Sequence, residues 1–119
     1  MWRPSENKKL DVVLLKYGLN PTISAGCGAG WVPEIEDLIQ KLIKVGWNKD
    51  LHQIKEKFGS LRFYIGEATP GMVSLIRSYE SQTFQICENC GKPGKSKNPK
   101  GSHSWIKTLC ENCDDVDNY

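Results

Sequence analysis

Cys87-Glu88-Asn89-Cys90 and Cys110-Glu111-Asn112-Cys113 decide how this 119-residue chain is read. Each C-x-x-C brings two thiolates from one tight turn to the same point. Two such turns, with nineteen residues between them, complete a tetrahedral shell of four sulfurs. A structural zinc ion takes that shell, and the spacing is that of a zinc ribbon. The expected metal ligands are Cys87, Cys90, Cys110 and Cys113. Gly91 follows the first pair, where a knuckle turn calls for a positive φ. A full cysteine shell leaves no coordination position for activating water, so the zinc is expected to be structural rather than catalytic.

Working outward from the ribbon, the preceding sequence alternates between helical and strand periods. Leu10, Val13, Leu14 and Tyr17 repeat at helical spacing over residues 6–17, with Ser5 as a cap and Gly18 as a stop. Ile35, Leu38, Ile39, Leu42 and Ile43 form a second apolar stripe, opened by Pro33 and ended by Gly46. Residues 51–58 and 61–65 predict two strands joined around Gly59-Ser60, with Leu61, Phe63 and Ile65 on one face and Arg62 and Tyr64 on the other. In the first strand Ile54 and Phe58 share a face with His52 and Glu56, and Lys55 and Lys57 lie opposite. Thr69-Pro70 opens a third helix carrying Val73, Ile76, Tyr79 and Glu80. Residues 92–101 read as a solvated loop between the knuckles, and Ser104 to Leu109 as a returning strand with Trp105. The expected fold is α+β: a small helix and β-hairpin domain over 1–83, then a C-terminal four-cysteine zinc ribbon with an acidic tail over 84–119.

Bulk composition fits a globular chain with 39% apolar and 25% charged residues. No apolar run is long enough to span a membrane. The stretch from Met1 to Glu6 lacks the apolar core of a secretory signal, so the expected location is the cytoplasm, where thiols stay reduced and favour zinc over disulfides. The formal charge is +2. Four metal-bound thiolates with one divalent ion bring it close to zero, so net charge alone gives no case for nucleic-acid binding.

Three features suggest ligands. The glycine loop Gly26-Cys27-Gly28-Ala29-Gly30-Trp31 precedes a helix, a place where backbone N–H groups attract an anion. It lacks the Gly-Lys-Ser/Thr of a Walker loop, Glu34, Glu36 and Asp37 compete with any anion, and a tight connection burying Trp31 explains it equally well. On the hairpin, Lys55, Lys57, Arg62 and Tyr64 fall on one face if the strands pair simply. Cations beside a ring can hold phosphate and stack a base, although an exposed strand also uses cations to prevent aggregation. The proposed ligand set is therefore Gly28, Gly30, Trp31, Lys55, Lys57, Arg62 and Tyr64. Lys95, Lys97 and Lys100, with His103 and Trp105, offer a separate backbone contact for nucleic acid. Cys27 is the odd thiol; a buried cysteine is far commoner than a nucleophile paired with His52 or His103. No Ser-His-Asp, H-E-x-x-H or paired-carboxylate arrangement is visible, and an enzyme is not expected.

The glycine-tryptophan loop, Lys55-Glu56-Lys57-Phe58-Gly59-Ser60-Leu61-Arg62-Phe63-Tyr64 and Cys87-Glu88-Asn89-Cys90-Gly91-Lys92-Pro93-Gly94 together resemble short proteins encoded by bacteriophages and prophages. The likeness covers about residues 24–113. It implies no established activity and supplies no catalytic residue. It implies a host-cytoplasm protein acting by stoichiometric binding. The expected function is non-enzymatic binding of a phosphate-bearing nucleotide, with sequestration of a defence messenger as its use. The alternatives are a protein-binding inhibitor or adaptor of a host protein, anchored by Trp2, Trp47 or Trp105, and a nucleic-acid-binding ribbon. A homo-oligomer with a shared site is compatible with either.

Overall fold

The computed structural model describes residues 8–20, 24–97 and 106–113. The order is α1 (Lys8–Lys16), β1 (Ser24–Gly26), a 3-10 turn (Ala29–Trp31), α2 (Val32–Lys44), β2 (Leu51–Lys57), β3 (Ser60–Ile65) and α3 (Pro70–Gln82). A second 3-10 turn (Thr83–Gln85), β4 (Lys95–Lys97), β5 (Lys107–Leu109) and a last 3-10 turn (Glu111–Cys113) follow. The fold is α+β with a two-stranded ribbon carrying the four cysteines.

The α2 stripe behaves as its spacing dictates: Ile35, Leu38, Ile39 and Leu42 are fully buried. Its C-terminus closes with Gly46 N–H to Ile43 O and Trp47 N–H to Leu42 O, which folds Trp47 back into the core against Phe63. The Thr69 hydroxyl accepts from Met72 N–H and caps α3, with Pro70 in its first turn. On α3 the buried residues are Met72, Ile76 and Tyr79, while Val73 is half-exposed, so the core stripe starts one residue earlier than expected.

The three-stranded sheet has the order β1-β2-β3, with β1 parallel and β3 antiparallel to β2. The connection β1–α2–β2 is thus a crossover. The parallel strand was not expected, because three residues of a glycine-rich stretch carry no alternation to read. The hairpin closes at Phe58-Gly59, and Ser60 already belongs to β3. The register shifts between Leu51 and Gln53, so Leu51 and Ile54 both turn inward while His52 is exposed. On the free edge of β3, Leu61 N–H donates to the Thr83 hydroxyl and Phe63 N–H to the Glu80 carboxylate, both at 2.9 Å. Two side chains therefore satisfy an edge that a further strand would otherwise find open. Residues 95–97, expected in a solvated loop, form β4 against β5, pairing Lys95 with Leu109 and Lys97 with Lys107.

Candidate metal centre and ligand face

The four thiol sulfurs of Cys87, Cys90, Cys110 and Cys113 all lie within 4.8 Å of one another. The Cys90 and Cys110 sulfurs are 3.6 Å apart. A tetrahedron with metal–sulfur bonds of about 2.3 Å has edges near 3.8 Å, so the cage fits a divalent ion of zinc's size. Each knuckle is closed by its backbone: Gly91 N–H reaches Cys87 O, and Cys113 N–H reaches Cys110 O. Gly91 has the positive φ, 83°, that this turn asks for. Asn89 donates from its side-chain amide to the Cys113 sulfur at 3.3 Å, the kind of contact that orients a metal-bound thiolate.

Behind the metal cage lies a polar seam that sequence reading missed. Lys107 is buried, and its ammonium meets the Glu56 carboxylate at 2.8 Å and the Glu88 carboxylate at 3.4 Å. Glu88 stands between two metal ligands and also accepts the Gly28 N–H at 2.9 Å. Its own carbonyl accepts the Gly30 N–H at 2.7 Å. The other Glu56 oxygen accepts Gly59 N–H at 2.8 Å, and the Thr108 hydroxyl donates to Gly59 O at 2.5 Å. Burial pushes the Glu88 carboxyl up to about 7; Lys107 and the Gly28 bond pull it down, and the neighbouring Glu56 adds to the rise. Burial likewise raises the Cys27 thiol well above its ordinary range.

The predicted ligand set divides at this point. The glycine loop does hold a carboxyl group, and it is the protein's own Glu88. Gly28 and Gly30 are buried, and a Cβ at Gly30 would overlap the carbonyl of Cys87. Trp31 is fully buried, and its indole N–H donates to Ile86 O at 2.8 Å. These three residues join the ribbon to the core and present nothing to solvent. Lys55, Lys57, Arg62 and Tyr64 come together on the outer face as the register requires: Lys55 lies opposite Arg62, Gln53 opposite Tyr64 and Lys57 opposite Ser60. The Lys55 ammonium stands 5.7 Å from the Tyr64 ring centroid. Among the described residues none of the three cations makes an ion pair, and the Arg62 Nε is buried with no hydrogen-bond partner.

The remaining candidates divide as well. Trp47 is buried and cannot anchor a partner. Trp2, Lys100, His103 and Trp105 lie outside the described residues. Lys95 is exposed on β4. No helix among the described residues is long and apolar enough to cross a membrane. The missed residues, Lys107, Glu88 and Thr108, carry no local signal; a lysine in a short strand and a glutamate inside C-x-x-C both read as solvated. No protein-family model, curated protein or solved structure matches the chain.

Proposed function

We propose that this protein is a non-enzymatic binding module, stapled by a structural zinc ion, that takes a phosphate-bearing nucleotide ligand on the outer face of the β2–β3 hairpin. One observation carries the reading. Lys55, Lys57 and Arg62 form a cationic face beside Tyr64, and no carboxylate among the described residues neutralises them. Elsewhere several cations are paired: Lys16 with Glu36, Lys41 with Asp37, and Lys107 with two glutamates. Three cations gathered on one face without a carboxylate partner favour an anion from outside. The phenol ring adjacent to it favours an anion that carries a base. Sequestration of a nucleotide messenger is one use of such a face.

Zinc is the metal that four clustered thiolates select among the divalent ions, with no position left for substrate. The identity of the ion is tested by elemental analysis of purified protein, with one zinc per chain expected. The ligand reading is tested by thermal shift of zinc-loaded protein against mononucleotides, cyclic nucleotides and linear dinucleotides. A stabilising shift that vanishes in Arg62→Ala and weakens with salt supports it. No shift with any nucleotide sinks it.

A further inference from the structure

The turn between β2 and β3 is built from an unexpected residue. Phe58 and Gly59 both have positive φ, 54° and 85°. A two-residue hairpin loop with that geometry favours Asn-Gly or Gly-Gly, because a side chain in the left-handed region meets its own backbone. A bulky aromatic there is a genuine outlier, of the kind that persists where something outside local sterics retains it. Among the described residues no hydrogen bond or ring–ring contact retains it. The Phe58 residue is 59% exposed. The bonds that hold the turn run from Gly59 N–H to Glu56 and from Thr108 to Gly59 O, and neither uses the phenyl ring. The ring's neighbour is a cation: the Lys57 ammonium stands 5.6 Å from its centroid.

The hairpin therefore carries an exposed ring toward each end with cations between them. Tyr64 is 41% exposed at one end, beside Lys55 and Arg62. Lys57 follows along β2, and Phe58 ends the row at the turn. Tyr64 lies four steps along the strand from Ser60, roughly 13 Å at the usual rise. One nucleotide cannot put its base on one ring and also reach the other. A strand of several nucleotides can stack a base at each end and run its phosphates past the lysines and Arg62. We infer that the ligand of this face is a single-stranded nucleic acid, and that Phe58 is the stacking residue for its second base. This rests on the nucleotide reading of the same face and narrows it.

The test uses full-length, zinc-loaded protein. Fluorescence anisotropy is measured with labelled oligo-dT and oligo-rU of about ten nucleotides, a typical single-strand site size. Mononucleotide binding is measured by titration calorimetry, and melting temperature is recorded for every variant. Phe58→Asn and Phe58→Gly are expected to weaken the oligonucleotide roughly tenfold or more. The same variants are expected to melt at an unchanged or higher temperature, since they relieve the turn, and to leave mononucleotide binding alone. A residue kept for structure would behave in the opposite way. Full oligonucleotide affinity in Phe58→Asn, or a lowered melting temperature, overturns the inference. Mononucleotides binding as tightly as the oligonucleotide would overturn it while leaving the nucleotide reading standing. Binding of neither would remove both. Poly-glutamate binding as well as the oligonucleotide would assign the face to an acidic protein and overturn both.

Discussion

Lys107 bridges two carboxylates, Glu88 fully buried and Glu56 mostly so. Replacing it with methionine leaves the buried Glu88 and the partly buried Glu56 without their cation. We expect Lys107→Met to lose about 3–5 kcal/mol in denaturant unfolding of the metal-loaded protein. The triple variant with Glu56→Gln and Glu88→Gln should recover much of that, because uncharged partners remove the uncompensated charge. Gly30→Ala should cost about 1–3 kcal/mol or more, since its methyl would press on the Cys87 carbonyl; a melting curve measures it. A hydrogen-bonded pair between α3 and α2 offers a pH test. The Tyr79 hydroxyl donates to Asp37, and that bond, with Lys41, holds the Asp37 carboxyl below its ordinary 3.8. A lowered pKa stabilises the fold above the unfolded value. The stability gap between wild type and Tyr79→Phe should thus be full above about pH 4 and close as pH falls through the folded-state value. The four cysteines were legible because ligand chemistry is written in spacing. Lys107 and Glu88 were not, because burial of a charge depends on what arrives from far along the chain. The two C-E-N-C tetrapeptides show this directly: Glu88 is buried and bonded, and Glu111 is exposed.

At the level of elements, α2 was readable from its stripe and α3 from its capping pair. The hairpin was readable in the faces of its second strand and of Lys55 and Lys57, but His52 and Phe58, expected beside Ile54, are exposed, and the turn was misplaced by one residue. A phenylalanine gives no turn signal, so the eye moves on to Gly59-Ser60. β1 was invisible because parallel pairing of three residues leaves no pattern. The edge of β3 depends on Thr83, whose hydroxyl satisfies Leu61 N–H while donating to Glu80 O. Thr83→Val keeps the shape and removes the acceptor, and a loss of about 1–3 kcal/mol is expected in equilibrium unfolding. The hairpin turn is tied to the ribbon through Glu56, Lys107 and Thr108. Metal removal by a chelator should therefore raise amide exchange at Lys57–Ser60 as well as in β4 and β5. Exchange confined to the ribbon would show that the seam does not transmit the loss.

Across the whole molecule, the expected division after residue 83 falls within the turn Thr83–Gln85, and dense polar contacts cross it. The Trp31 indole, the Gly28 and Gly30 amides, Glu56 and Gly59 on one side all find their partners in residues 86–108 on the other. A fragment ending at residue 83 would leave those groups unsatisfied in what remains of the interior. We expect it to lack the dispersed amide spectrum of the full chain, a comparison that two-dimensional NMR makes directly. The overall class was legible because helix stripes, hairpin alternation and thiol spacing each point the same way. The union of the two parts was not, since it rests on buried charges that local pattern cannot mark.

Glu88 belongs at once to the candidate metal knuckle and to the loop that seats α2, so on the proposed zinc site folding and metal loading would be coupled. Each new copy would then compete for an ion before its interior closed, and copies that failed would expose that interior to proteases. The steady abundance of this protein is then expected to track metal supply, falling under starvation without any change in its transcript.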